Sequence, residues 1–109
     1  MDATYALVRQ AIATRCPIVA VYEGHPRELC PHVIGTKDGR AQALCFQHGG
    51  SSSKGPLAPG GEWRCVAIAR LVDVALAPGR WHSRGWNPET QRCVHRVDLA
   101  VDLGPAAEV

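Results

Sequence analysis

The segment from Arg27 to Gly55, RELCPHVIGTKDGRAQALCFQHGGSSSKG, reads as two β-strands joined by a tight turn and running into a polar Gly/Ser loop. Its turn is Thr36-Lys37-Asp38-Gly39, and Asp-Gly is a favoured type I′ pair. The strand before it runs from Arg27 to Gly35 with Pro31 inside. Proline has no N–H for the ladder, so this strand is predicted to lie at an edge or to be bulged there. The strand after the turn, Arg40 to His48, alternates Leu44, Phe46 and His48 with Ala43, Cys45 and Gln47, so only one face carries bulk. Gly49 to Gly61 holds five glycines and two prolines in thirteen residues and reads as irregular.

The flanking sequence extends this β pattern in both directions. Pro17 to Tyr22 is a short apolar strand that enters a turn at Glu23-Gly24-His25. Ahead of it, residues 3–14 form a helix capped by Asp2 or Thr4, with Tyr5, Val8, Ala11, Ile12 and Arg15 at three- and four-residue steps; Pro17 ends it. Its single narrow apolar stripe must dock on a sheet. Trp63 to Ile68 is a further strand, turning at Ala69-Arg70 into another through Val72, Val74 and Leu76. Pro78-Gly79 and Asn87-Pro88 bracket an aromatic, basic, turn-rich stretch, and Val97, Leu99, Val101 and Leu103 alternate along a last strand. The class is mainly β with one N-terminal helix (α+β), a small, strongly bent sheet or partly open barrel of five to six strands. One domain covers residues 1–109, with the barrel over 17–103.

Composition narrows the chemistry. A 109-residue chain with 46% hydrophobic residues can bury one core. There is no apolar run of membrane-spanning length and no export signal, which predicts a soluble, cytoplasmic protein. Five cysteines, an odd number without CxxC spacing, are expected to be free thiols. The net charge is only +2, but the basic residues are ten Arg and two Lys. Six Arg against Asp73 and Glu89 give +4 between Arg64 and Arg96, followed by acidic Asp98, Asp102 and Glu108. Guanidinium forks suit phosphate or carboxylate, so an anion-binding face is one reading and an ordinary solvated surface the other.

Three motifs carry possible chemistry. Gly49 to Gly55 offers N–H groups, hydroxyls and the Lys54 ammonium, as a phosphate cradle would, though Gly55-Pro56 stands where a Walker loop needs Ser/Thr and a helix. Ser51-x-x-Lys54 spells a Ser/Lys pair among three adjacent serines, with no partner motif following. Cys30-x-His32 and Cys93-x-His95, with Cys45 and His48 between, place metal-ligand types on strands without the turn-borne pairs of a structural zinc site. No metal and no cofactor are expected.

The succession Tyr22-Glu23-Gly24, Arg27, Pro31, Gly35, Asp38-Gly39-Arg40, then Trp63-Arg64 through Ile68 and Arg70-Leu71 to Val74, resembles the WYL domain. Pro31-His32, Gln47-His48-Gly49-Gly50, Ser51 to Gly55 and Gly85-Trp86-Asn87-Pro88 further resemble short stand-alone bacterial relatives of that domain. The resemblance, spanning about Val19 to Leu103, implies an SH3/Sm-like barrel of the kind found in transcriptional regulators, sensing ligands or binding nucleic acid through a basic face. It implies ligand-facing Tyr22, Arg27, Arg64 and Arg70 beside the Gly/Ser loop. Where the family has Trp-Tyr-Leu this chain has Gln42-Ala43-Leu44, losing both aromatics and with them the usual means of stacking bases.

The reading is a non-enzymatic binding module for an anionic small molecule, nucleotide or single-stranded nucleic acid. Its ligand-binding set is Tyr22, Arg27, His32, Gln47, Gly50, Ser51, Ser53, Arg64 and Arg70. The alternatives are a small hydrolase-type enzyme using the Gly/Ser loop with His32 or His48, and a structural or assembly protein. A homodimer is expected, because Pro31 would leave sheet edges to be paired.

Overall fold

The computed structural model describes residues 2–53 and 55–103, so Lys54 and Glu108 lie outside the described residues. β1 (Ile18–Tyr22), β2 (His25–Lys37) and β3 (Arg40–Ser52) form two consecutive hairpins. Both turns have two residues. Glu23 and Gly24 have φ 54° and 78°, and Asp38 and Gly39 have φ 52° and 79°, the paired left-handed conformations of type I′ turns. The Glu23-Gly24 turn is one residue tighter than the sequence indicated, because His25 already pairs with Tyr22.

β2 is the central strand, not an edge. β3 pairs with it along one side, while the other side is shared: β1 covers His25 to Leu29, and β7 (Arg96–Ala100) covers Val33 to Thr36. Pro31 stands between the two sections. The ladder with β3 shifts register between Pro31 and Val33, leaving His32 as the extra residue of a bulge. Of the two readings of Pro31, the bulge holds and the edge does not. This strand has partners on both sides, so it is not the edge through which copies of the chain would pair.

β5 (Glu62–Ala67) pairs with the far side of β3, and β6 (Leu71–Leu76) with the far side of β1. A single 3-10 turn, Ile68–Arg70, joins β5 to β6, so the order β5-β3-β2-β1-β6 bends round on itself into a partly open SH3/Sm-like barrel. Ala67 N–H donates to the Tyr22 hydroxyl at 3.1 Å, linking the end of β5 to the end of β1 across the opening. Part of the Gly/Ser loop is regular: β3 runs on to Ser52 and pairs with β4 (Gly55–Pro56). In β7 a register shift at Asp98 breaks the expected alternation, and Val97 is 53% exposed.

α1 (Ala3–Thr14) is capped by the Asp2 carboxylate and ended by Arg15 in the left-handed conformation, ahead of Pro17. It presents Val8, Ala11 and Ile12 to a core that includes Ile18, Leu29, Ile34, Val66 and Ile68. Tyr5 OH and Arg9 Nε both engage the Asp98 carboxylate, at 2.7 and 3.0 Å, holding the helix to the β7 bulge. The small side of β3, Ala43 and Cys45, faces this core. Its bulky side is covered as well: residues 77–95, which contain no helix or strand, lay Cys93, Val94 and Trp86 over Val33 and Leu44. Cys65 and Cys93 are joined as a disulfide with Cα atoms 5.5 Å apart, which corrects the expectation of five free thiols; Cys16, Cys30 and Cys45 are free.

His32, turned inward by the bulge, is 0% exposed and is ringed by Trp81, Trp63 and Trp86 at centroid distances of 4.8, 4.7 and 5.1 Å. Its Nδ1 lies 2.7 Å from the Cys30 carbonyl and so carries the proton, which leaves Nε2 to accept from the Ser83 hydroxyl at 2.6 Å. Ser83 Oγ in turn accepts from Trp81 Nε1 at 2.6 Å. Burial pushes the His32 pKa down to about 4. A second proton on the ring would displace the serine proton from its acceptor.

A histidine with a depressed folded pKa binds fewer protons than its unfolded counterpart between the two values, so stability falls as pH drops from about 6.5 to about 4. The loss attributable to His32 should reach roughly 3 kcal/mol. Urea denaturation across this range checks it. The slope should be clearly shallower in His32→Asn, and an unchanged slope would show that other groups carry the pH dependence.

Candidate anion-binding cleft

The first hairpin brings β2 back along β1 so that Arg27 stands opposite Ala20 on one side and Gly50 on the other. Gly50 has φ 86°, and a Cβ there would collide with the Pro26 carbonyl and the Arg27 Cα. Only glycine lets β3 approach the arginine backbone this closely. On the other side of β3, β5 places Arg64 opposite Cys45. An open cleft of about 290 Å³ is walled by Tyr22, Glu23, Arg27, Ser52, Trp63 and Arg64, with Ser53 and Cys65 completing its lining.

Gln47, fully buried, sits between the two arginines. Its Oε1 accepts from Arg27 Nη1 at 3.3 Å and from Arg64 Nε at 3.4 Å. Its Nε2 donates to the Gly49 and Ser51 carbonyls at 3.0 and 3.2 Å, which fixes the orientation of the amide. One oxygen therefore positions two guanidinium groups, and a strand-borne glutamine does so without adding charge.

Arg27 is only 4% exposed. Burial, then the neighbouring Arg64 charge, pull it below the usual guanidinium range, against which Glu23 acts. It remains a cation, as arginine does in proteins. Its Nη2 donates to the Tyr22 carbonyl at 3.2 Å and lies 3.7 Å from Glu23 Oε1, while its buried Nε has no partner. Arg64 Nη2 reaches Ser52 Oγ at 3.4 Å and Glu62 Oε2 at 3.2 Å. Two like charges are thus held together by a neutral amide, each offset by one carboxylate. The excess of positive charge is small, and its donors are forked.

Of the nine residues expected to contact ligand, Tyr22, Arg27, Ser53 and Arg64 line the cleft and Gln47 braces it from below. Gly50 acts as the spacer. Arg70 is not part of the lining; 60% exposed, it pairs with Glu23 at 2.9 Å and lies 5.5 Å from the Tyr22 ring. Arg27 lies 5.1 Å from the same ring, so two cations neighbour the tyrosine. Ser51 points elsewhere, its Oγ 3.3 Å from His25 Nδ1. His32 belongs to the tryptophan cage. The Gly/Ser loop turns the Gly49 and Ser51 carbonyls toward Gln47, so these positions meet the site as acceptors rather than as a cradle of N–H donors.

Sequence reasoning left Glu23, Glu62, Trp63 and Cys65 out of the ligand-binding set and had Ser52 only as one hydroxyl of the Gly49 to Gly55 loop. Two were accessible to it: Glu23 precedes Arg27 across a two-residue hairpin, and Glu62 precedes Arg64 by the two-residue period of a strand face. Ser52 and Trp63 enter through the pairing of β3 with β4 and β5, which no local pattern announces.

Neither His32 nor His48, the two histidines of the hydrolase-type reading, lines this cleft. His32 and Ser83 form a base and hydroxyl pair, but the imidazole is sealed by three indoles and the hydroxyl already accepts a bond from Trp81. His48 stacks on His82 at 4.4 Å and 15°; burial, then the His82 charge, lower its pKa. No cluster of three or more His, Cys, Asp or Glu among the described residues is placed to hold a metal ion. No helix among them is long and apolar enough to cross a membrane. Comparison of the chain with protein-family models, with curated proteins and with solved structures gave no match.

Gln47→Leu keeps the volume but leaves two guanidiniums without their shared acceptor. It should destabilise the protein by at least about 2 kcal/mol in urea denaturation, since bonds to charged groups are among the stronger ones. Ser53→Ala, which removes an exposed hydroxyl, should stay within about 0.5 kcal/mol of the parent. A neutral Gln47→Leu would mean that the amide does not hold the two arginines.

Proposed function

We propose that this chain is a non-enzymatic binding module whose cleft accepts a small anion or the anionic group of a small molecule. The observation that carries the reading is the convergence of Arg27 and Arg64 on the buried Gln47 oxygen at the wall of an open cleft. Holding two guanidiniums together has an electrostatic cost that a bound carboxylate or phosphate would relieve, and forked donors suit such oxygens. The resemblance to the WYL domain supports the same face, since it singles out Tyr22, Arg27, Arg64 and Arg70.

Among anionic ligands the local charge favours a small one. Glu23 and Glu62 already offset much of the arginine charge, which disfavours the dense phosphates of a nucleic-acid strand. The Tyr22 ring, with cations on it, is a poor platform for bases, and Trp63 is the aromatic wall that remains.

Inorganic phosphate, adenosine monophosphate and a short oligothymidylate, compared by thermal shift and calorimetry, test this. The monophosphates should raise the melting temperature and the oligonucleotide should gain no more than its terminal phosphate provides. Arg64→Ala should weaken binding of adenosine monophosphate by about 1–3 kcal/mol while leaving the fold intact. Arg70→Ala should change it less than about threefold, a difference of under roughly 0.7 kcal/mol, because Arg70 acts through Glu23. Equal binding by Arg64→Ala and the parent would overturn the reading, and tight, steeply salt-dependent oligonucleotide binding would favour nucleic acid instead.

A further inference from the structure

The Cys65–Cys93 disulfide stands at the same cleft. Cys65 follows Arg64 on β5, contributes to the cleft lining and is exposed, whereas Cys93 is buried within the segment 77–95. That segment has no helix or strand, and it holds the cleft wall at a second point: Trp63 Nε1 donates to the Arg84 carbonyl at 3.0 Å, with the Trp63 and Trp86 rings 5.9 Å apart. Trp63, Arg64 and Cys65 are consecutive. The wall that carries the anion-binding arginine is therefore tied on both sides to an irregular segment, once covalently and once through an indole.

We infer that this bridge is a thiol–disulfide exchange site, open to a dithiol reductant at Cys65, whose redox state controls the affinity of the cleft; the control rests on the reading of that cleft as the binding site. A thiolate of the dithiol attacks the exposed Cys65 sulfur. The S–S bond breaks, its electron pair leaves on Cys93 Sγ, and that sulfur takes up a proton. The second thiol of the reagent then attacks the mixed disulfide at the reagent's own sulfur and releases the Cys65 thiolate. Two electrons pass to the protein, and the dithiol becomes a disulfide.

Two of the three free cysteines, Cys30 and Cys45, do not compete for this chemistry. Cys30 and Cys45 are buried, and burial pushes the first thiol up to about 11 and the second higher still, so neither supplies a thiolate near neutral pH. Once the bridge opens, the 28-residue separation between Cys65 and Cys93 is no longer closed. Residues 77–95 then depend on noncovalent contacts alone, and the Trp63 to Cys65 wall, still paired with β3, loses its covalent tie to them.

Three measurements on the full chain test the inference. Protein purified without reductant and unfolded should offer three alkylatable thiols, and five after dithiothreitol. Amide hydrogen exchange should then quicken in residues 77–95 on reduction, and equally in Cys65→Ser, while β2 and β3 keep their protection. Finally, adenosine monophosphate should bind the reduced protein and Cys65→Ser about tenfold more weakly than the bridged form, a change of roughly 1.4 kcal/mol. Five thiols before reduction would remove the bridge, and unchanged exchange in residues 77–95 would overturn the loosening through which it controls the cleft. A loosened segment with unchanged affinity would overturn the control and leave the cleft standing. No binding even to the bridged form would overturn the cleft reading and the control with it, while thiol counts and exchange would still decide the bridge.

Discussion

Everything else in this fold depends on β2 having partners along its whole length. A thirteen-residue strand has too many donors and acceptors for any one short neighbour, and an unpaired buried peptide group would be costly. The chain divides the demand, giving one half of the strand's outer side to β1 and the other half to β7. The register shift at Pro31 is where the sections meet, and it lets a single strand serve two environments. Its first half delivers Arg27 to the cleft. The extra residue of the bulge, His32, turns into the tryptophan cage, and the second half supplies Val33 and Ile34 to the two cores.

The cleft is built on an economy of charge. A carboxylate at position 47 would also have gathered Arg27 and Arg64, but it would have neutralised one of them in a fully buried setting and left little for a ligand. An amide oxygen positions both while cancelling neither, and its N–H groups tie the arrangement to the backbone of β3. Glu23 and Glu62, both partly exposed, do the offsetting from the outside, where water screens them.

The sequence was most legible where structure is local. The helix boundaries, the Asp38-Gly39 turn, the 3-10 corner before β6 and the barrel class all follow from spacing and turn chemistry within a few residues. Arg27, Arg64 and Tyr22 were legible as one face through a family resemblance, and the geometry does bring them to one cleft. What could not be read was non-local. Whether Pro31 marks an edge or a bulge depends on which strands arrive beside it, and β7 lies some sixty residues downstream. His32 was placed with the ligand-facing residues through the Pro31-His32 motif of the family resemblance, which carries no information on where the bulge would turn its ring. The bulge adds one residue and so moves every later side chain to the opposite face.

Residues 77–95 show the same limit in sharper form. As sequence they are punctuation: Pro78-Gly79, Asn87-Pro88, scattered Arg and Trp, with no period to assign. As structure they form the second layer, covering the face of β3 that carries Leu44 and Phe46, which alternation alone left as bulk without a partner. Counting cysteines failed for the same reason. An odd number without close spacing argues for free thiols only if sequence neighbours are the candidates for pairing, and Cys93 reaches Cys65 because a segment without regular structure returns across the sheet. A layer with few backbone ladders of its own must be fastened by side chains. The indoles around His32, the Lys37 ammonium on the Arg92 carbonyl and the disulfide are those fastenings. Of these, the disulfide alone is covalent, and like Trp63 two positions earlier its Cys65 end lies in the lining of the cleft, so the covering layer and the wall that carries Arg64 are fastened at the same place.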